Sequence, residues 1–584
     1  MHRSSLESLR EQVRDFKYTD FLRHLQTVTA AAAGAKPLRV AILRSYTLEP
    51  MEPVLRVRLA LDGHQPEIWI GGYNQYAREI LDSSSELYRL RPQVVLLMTR
   101  LEELIPSFVD DFPGRTTAEW STEIARACDQ LADLARRAAR DLPAQVIVQN
   151  MSLGRGAYYG IHDAQSRSGQ SALAQEFNRG LSAATSSPGV FVWDFEAFAR
   201  AEGMRHLFDP KGWYVSRSVF KQSAYPAIVA DIMRYVRSAM GRMKKCVALD
   251  LDNTLWGGVV GEDGFDGIEL GDSYPGNCFK DFQRELLKLH HRGILLVINS
   301  KNNEADALRV IDDHPDMVLR RKHFAAMRIN WTDKATNLRE LAAELNIGLD
   351  SFLFLDDNPV ECALVRRECP ECEVIQVPDR PYLMAQVVAD LPEVDNIRLT
   401  DEDKRKGEMY RAQAARRELE QSSATPDLKE FLRELQMKVA IEPATSFSIP
   451  RIAQLTQKTN QMNTTTRRYT EAQVQSFVTD PECGVYSVSA SDRFGDHGII
   501  GVLILQHEGV DCRIDAFLLS CRVIGRGIEE TVLEFAAAQA RERGRHRLVG
   551  EFIPTAKNAP AADVFPKAGF TKIDDTRYVI ATET

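Results

Sequence analysis

The chain of 584 residues predicts a multi-domain α/β protein, and three observations lead there. Short apolar runs alternate twice over with amphipathic stretches, the pattern of parallel sheets covered by helices on both faces. A third region, from about residue 427, carries neighbouring strand-like runs that read as antiparallel. The length itself calls for several domains of ordinary size. The expected organisation is an α/β domain over 1–240, a second over 241–395, a charged helix and linker over 396–426, and an α+β domain over 427–584.

The elements follow in order. After an amphipathic opening and an alanine-rich linker, Thr29 to Lys36, the run Leu38–Leu43 reads as a buried strand. Glu67–Ile70, Gln93–Met98, Gln145–Gln149 and Val190–Asp194 repeat the signal, with helical patterns such as Thr122–Arg140 between them. The second alternation starts at Lys244, with strands at Cys246–Leu249, Ile294–Ile298 and Phe352–Leu355. Its helices are expected near Phe279–His291, Asn303–Ile311 and Ala335–Leu345. Lys404 to Glu420 reads as a charged helix and Ser422–Pro426 as a hinge. The last region offers strands at Gly498–Gln506, Asp511–Leu519 and Tyr578–Ala581, and a helix at Glu529–Arg543.

Composition narrows the function. A net charge of -9 lacks the basic footprint of a nucleic-acid binder. No uncharged apolar run is long enough to cross a bilayer, and the opening residues lack the apolar core of a secretory signal. Nine cysteines, odd in number and scattered, suit reduced thiols, so a cytoplasmic protein is expected. Cys369 and Cys372 form a lone C-x-x-C, read as a chance spacing in a loop.

The chemistry concentrates in the second alternation. The run Cys246–Leu249 ends in Asp250-Leu251-Asp252-Asn253-Thr254, two carboxylates at i and i+2, which share a strand face and so leave the sheet edge in the same direction. Two such charges need a shared proton or a cation, which points to Mg²⁺ and phosphate. Ser300 ends the next strand, Lys334 opens a helix, and Asp356-Asp357 end another strand. In an open parallel sheet all of these converge beyond the carboxyl ends of the strands. Asp250 is placed to attack phosphorus and Asp252 to act as general acid and base. Ser300 and Lys334 would hold phosphate oxygens. Asp250, Asp252, Asp356 and Asp357 would surround the metal, with Thr254, Asn302 and Asn358 as substrate contacts.

These four motifs resemble those of the haloacid dehalogenase (HAD) superfamily of phosphotransferases. The wider wording, Asp-Leu-Asp-Asn-Thr-Leu-Trp-Gly-Gly-Val with Ser-Lys-Asn-Asn and Leu-Asp-Asp-Asn-Pro-Val-Glu, is similar to the FkbH-like branch, subfamily IIIC. That resemblance implies an enzyme of polyketide and related natural-product assembly, with antibiotic biosynthesis among its settings. It would take the glyceryl unit of D-1,3-bisphosphoglycerate, release phosphate, and load the three-carbon unit on the phosphopantetheine thiol of an acyl carrier protein. A cysteine that first accepts the acyl group would help. Cys278 is one candidate, its thiol expected to be acidified by a helix N-terminus, and Cys521, beside Arg522, is the other. The family pattern leads one to expect a cysteine directly before Ser-Lys-Asn, where this chain has Asn299.

The flanking regions carry weaker resemblances. Arg522-Val523-Ile524-Gly525-Arg526-Gly527 is similar to the R-x-x-G-x-G pattern of GNAT acyltransferases, implying that Arg522, Gly525 and Gly527 hold CoA or the phosphopantetheine of a carrier protein. Thr456 to Arg468 reads as a contact for that arm or as a solvated turn. The first domain resembles the SGNH-hydrolase-like domain of long FkbH-like chains, with Ser45 where a nucleophile would sit. It lacks Gly-Asp-Ser and a D-x-x-H near Asp194, so a degenerate or docking domain is expected. His162 and His206 read as ordinary histidines. Two rival readings remain: a stand-alone small-molecule phosphatase with an accessory acyltransferase domain, and a carrier-docking scaffold with a silent centre.

Overall fold

The computed structural model describes residues 9–10, 12–153, 156–184, 187–407, 409–410, 436–492, 495–520, 523–524, 527–555 and 557–582. The chain divides into two compact units, Met1–Ala239 with Thr470–Gln473, and Met240–Tyr469 with Val474–Thr584. The second unit contains two separate sheets.

The first unit is built on five parallel strands: β1 (Lys36–Arg44), β2 (His64–Ile70), β3 (Val94–Met98), β4 (Gln145–Gln149) and β5 (Val190–Trp193), in the order β2-β1-β3-β4-β5. β3 and β4 are buried at every position, which is why they read as unbroken apolar runs. The helix Thr117–Asp141 opens with Thr116 and Glu119 capping each other's backbone amides, and its alanine-rich face packs on the sheet. The alanine-rich linker is shorter than expected, since the helix Tyr18–Ala31 runs into it and β1 begins at Lys36.

The second unit opens with another parallel sheet: β6 (Cys246–Leu249), β7 (Leu295–Ser300), β8 (Phe324–Ile329), β9 (Phe352–Asp356) and β10 (Glu373–Gln376), in the order β10-β9-β6-β7-β8. β6 is therefore the middle strand, and it is wholly buried. Helices α1 (Gly276–His291), α2 (Lys334–Leu345) and α3 (Pro359–Glu368) connect strand ends to strand starts. β8 and β10 were not expected from sequence. β8 contains two alanines and an arginine, and β10 is only Glu-Val-Ile-Gln, so neither shows the apolar run of a central strand.

The remainder of this unit is a mixed sheet of β11 (Lys438–Pro443), β12 (Met462–Asn463), β13 (Cys483–Asp492), β14 (Gly495–Glu508), β15 (Asp511–Leu519), β16 (Arg547–Glu551), β17 (Thr571–Lys572) and β18 (Arg577–Ala581). Its pairs are antiparallel except β15 with β16. Helices α4 (Ile449–Lys458) and α5 (Ile528–Glu542) pack their apolar residues on it. Most of the expected charged helix Lys404–Glu420, and the whole expected hinge Ser422–Pro426, lie outside the described residues. The same holds for Cys521, Arg522 and Gly525. Gly527 is described, with φ +73 just before α5, a conformation that favours glycine.

Candidate active site

The site grows from the tip of β6. Its last apolar residue is Leu249, and the Asp250 amide then donates to the Leu355 carbonyl of β9 at 3.1 Å. That bond sets Asp250 beside the end of β9, which carries Asp356. Asn253 adopts φ +54 and the Thr254 amide returns to the Leu251 carbonyl at 3.1 Å, so the chain turns sharply after the first aspartate. On the other side β7 ends in Ser300, only 1% exposed. Lys334 enters from α2, whose first turn is capped by the Asp333 carboxylate on the Thr336 amide at 2.9 Å.

Carboxylate oxygens of Asp250, Asp356 and Asp357 lie within 4.8 Å of one another. The Lys334 ammonium stands among them, 2.8 Å from Asp250 Oδ2 and 2.5 Å from Asp356 Oδ2. Three carboxylates thus face one ammonium, which leaves a surplus of negative charge matching a divalent cation. An all-oxygen donor set suits a hard ion such as Mg²⁺. Asp356 accepts a second bond at Oδ1 from the Asn358 amide, 2.8 Å, and Asp357 Oδ1 accepts from the Thr254 hydroxyl at 3.4 Å.

The electrostatics reflect this crowding. Burial first, and then the Asp250 charge, push Asp356 up to about 7 and raise Asp357 above the ordinary carboxylate range. Lys334 is raised: burial alone would lower it, and Asp250 and Asp356 outweigh that effect. Asp252 is also raised, chiefly by burial, in competition with bonds that favour its ionised form.

Asp252 corrects the shared-face expectation. Its Oδ1 accepts from the Trp256 indole at 2.9 Å and from the Val260 amide at 3.1 Å, and its Oδ2 accepts from Asn302 Nδ2 at 2.8 Å. The strand has already ended at Leu249, so the two-residue period no longer applies. The Asp252 carboxylate is held apart from the three-carboxylate group expected to include it.

The three expected substrate contacts are differently employed. Thr254 is fully buried beneath Asp357. Asn302, 4% exposed, holds Asp252. Asn358 caps α3, its Oδ1 accepting from the Val360 amide at 2.9 Å. Short polar side chains at strand and helix ends satisfy local donors before they are free for a ligand.

Cys278 is the third residue of α1 and partly exposed. Its thiol is raised, by burial and then by Asp281, which reverses the expected acidification. Asn299 is fully buried and its Nδ2 donates to the Lys334 carbonyl at 2.9 Å. That position steadies the first turn of α2. Sequence reasoning missed the roles of Asn299 and Trp256. Their signal was a polar atom beside a buried motif residue, and only the fold names the partner. Cys369 and Cys372 are buried with raised thiols, and their sulfurs point to the carbonyls of Ala335 and Glu373.

In the first unit Ser45 is fully buried, and its hydroxyl accepts the Arg100 amide at 3.1 Å. The Tyr46 hydroxyl donates to Gln149 at 2.7 Å. An open cleft of about 520 Å³ in this unit is lined by Thr47, Asp209, Ser216 and Lys221 among others, and it lacks the clustered acids of the β6 site. His162 packs edge-on against Tyr159.

No protein-family model matches the chain, and no curated protein matches it. Among solved structures it is similar to the N-terminal part of the protein BF1531 from Bacteroides fragilis, a phosphatase-domain-containing protein complexed with Mg. The identity is 26%, over 66% of this chain and 100% of that chain, with a TM-score of 0.58. The ribosomal-protein-S18-alanine N-acetyltransferase of Escherichia coli matches at 13% identity over 25% of this chain and 96% of its own, with a TM-score of 0.21. The GNAT domain of S. lividans PAT matches at 21% identity over 24% and 90%, with a TM-score of 0.20. The last two overlaps are too slight to carry an argument. The chain is a multi-domain α/β protein that shares its fold, over two thirds of its length, with a protein containing a phosphatase domain. No helix among the described residues is long and apolar enough to cross a membrane.

Proposed function

We propose that the chain is a Mg²⁺-dependent HAD-type phosphotransferase that takes a glyceryl unit from D-1,3-bisphosphoglycerate, releases phosphate, and loads the unit on the phosphopantetheine thiol of an acyl carrier protein. The observation that carries the phosphoryl part is the group of buried Asp250 and Asp356 with half-buried Asp357 around Lys334. The Mg complex of the Bacteroides fragilis protein supports the metal. The glyceryl and carrier part rests on the resemblance of the motif wording to FkbH-like proteins.

In this reading Asp250, Asp356 and Asp357 hold Mg²⁺, which supplies charge neutralisation for the phosphate. Asp250 attacks phosphorus and forms an acyl-phosphate, dividing one hard displacement into two. Asp252, with its raised proton affinity, protonates the departing oxygen and then deprotonates the incoming water. Lys334 and Ser300 hold the non-bridging oxygens. Trp256 and Asn302 keep the Asp252 carboxylate at a fixed angle.

A second reading, a small-molecule phosphatase, is favoured by Cys278, whose thiol is raised, and by Asn299, which occupies the position expected for a cysteine. One experiment separates the two: mass spectrometry after incubation with 1,3-bisphosphoglycerate, Mg²⁺ and a phosphopantetheinylated carrier. A glyceryl adduct on the carrier supports the first reading. Phosphate release with no adduct on carrier or enzyme supports the second. Asp250→Asn is expected to abolish phosphate release with the fold retained, and unchanged release would remove Asp250 from the chemistry.

A further inference from the structure

The two strands beside β6 each send one charged residue towards the other. β7 and β9 flank β6 in the sheet. Lys301 follows Ser300 at the end of β7, and Glu361 is the third residue of α3, the helix that follows β9. The Lys301 ammonium donates to Glu361 Oε1 at 2.7 Å. The pair therefore ties together the connections that leave both neighbours of β6, on the side where Asp250 lies. The next residue, Asn302, holds Asp252.

Depth separates this pair from the reacting groups. Ser300, Lys334 and Asp356 are almost sealed, at 1%, 3% and 0% exposure. The Lys301 side chain keeps 32% of its exposure and that of Glu361 15%. Lys301 thus stands one residue from the phosphate clamp but outward of it, a place suited to the far end of a short substrate. Its charge also reaches the residue before Lys334. The Asp333 carboxyl is lowered by its bonds to Thr336 and, more weakly, by Arg339 and Lys301.

The pair has capacity to spare. Among the described residues the Glu361 carboxylate bonds only Lys301, and its Oε2 is buried without a partner. Glu361 occupies one of the three donors an ammonium carries, so Lys301 can take a second anion without leaving its carboxylate.

We propose that Lys301 is a specificity-determining residue that receives a second anionic group at the far end of a phosphate monoester, while Glu361 orients its ammonium and tempers its charge. The role rests on the phosphoryl-transfer reading of the β6 site and narrows its substrates to short molecules with an anion at each end. A monoester ending in a neutral hydroxyl would keep the clamp and lose this charge-assisted bond.

Calorimetric titration of the full chain in Mg²⁺ tests the role, with 3-phosphoglycerate, whose far end is a carboxylate, and glycerol 3-phosphate, whose far end is a hydroxyl. The wild type should bind 3-phosphoglycerate about ten-fold more tightly. Lys301→Met should erase that difference, weakening 3-phosphoglycerate about ten-fold and leaving glycerol 3-phosphate unchanged. Glu361→Gln keeps the shape of the side chain, so it stays informative if Lys301→Met fails to fold. It should tighten 3-phosphoglycerate alone by about three-fold. Equal wild-type affinity for the two ligands, including none, overturns the proposal, as does an equal loss of both in either variant. The phosphoryl-transfer reading fails separately: the difference in binding then stands, and neither these ligands nor 1,3-bisphosphoglycerate releases phosphate.

Discussion

Asp250 and Asp252 are separated by one residue and meet different surroundings. Asp250 faces an ammonium and two further acids, whereas Asp252 is gripped by an indole N–H, a backbone amide and a carboxamide. A hydrogen bond to a charged group is worth about 1.5–3 kcal/mol, so loss of one grip should be measurable in turnover. Asn302→Ala is expected to lower kcat for phosphate release by about 10- to 100-fold while leaving Mg²⁺-induced stabilisation intact, since Asn302 touches none of the clustered carboxylates. Trp256→Phe should give a smaller loss in the same assay, because the Val260 amide still holds Oδ1. Equal losses of metal response and rate in Asn302→Ala would mean a general collapse of the site. The sequence displayed the four motifs because each sits at a strand or helix end in a fixed order. It did not display the division of labour between the two aspartates, which depends on where β6 stops and on the turn at Asn253.

Elements position these residues, and two of them can be probed directly. The Asp333 cap fixes the start of α2 and with it Lys334. Asp333→Ala is expected to cost about 1 kcal/mol of stability, read from denaturant unfolding of the full chain. The seam of α4 with residues 403–406 holds another test. Burial, joined by Lys458 and outweighing Asp403, holds half-buried Lys406 down to about 7, and burial likewise holds Lys458 to about 8. An unfolded lysine titrates near 10.5, so between about pH 7 and that value the unfolded chain binds more protons. Stability from these groups is therefore lowest near and below pH 7 and rises with pH. Lys406→Met should raise the melting midpoint at pH 6.5 and flatten its rise toward pH 9.5; an unaltered pH profile would contradict this. At this scale the parallel strands were legible because burial on both faces makes them continuous apolar runs. β12 was not legible, because Met462 alone of it enters the apolar core and Thr456 to Arg468 otherwise shows no apolar period.

Across the whole molecule, the coupling of metal to fold is the broadest expectation. A ligand that binds only the native state stabilises it by about 2.7 kcal/mol at one hundred times its Kd. Added Mg²⁺ should therefore raise the melting midpoint of the chain, and Asp356→Asn should abolish the rise. A rise that persists in the variant would place the ion elsewhere. The α/β class and the alternating layout could be read from the residues alone. The parallel pairing of β15 with β16 in the mixed sheet could not, since partner strands distant in sequence decide that.

The position of Asp250 on the middle strand has a consequence for what can reach it. A central strand tip is walled in by the ends of both neighbours, and Asp250 and Lys334 retain only 7% and 3% of their surface exposure. Burial this deep leaves little of either side chain for a visitor to touch, so under the phosphoryl-transfer reading a narrow reacting group is expected. A terminal phosphate is then expected to release phosphate faster than a phosphodiester, which is bulky on both sides of phosphorus, when the two are compared in one steady-state assay.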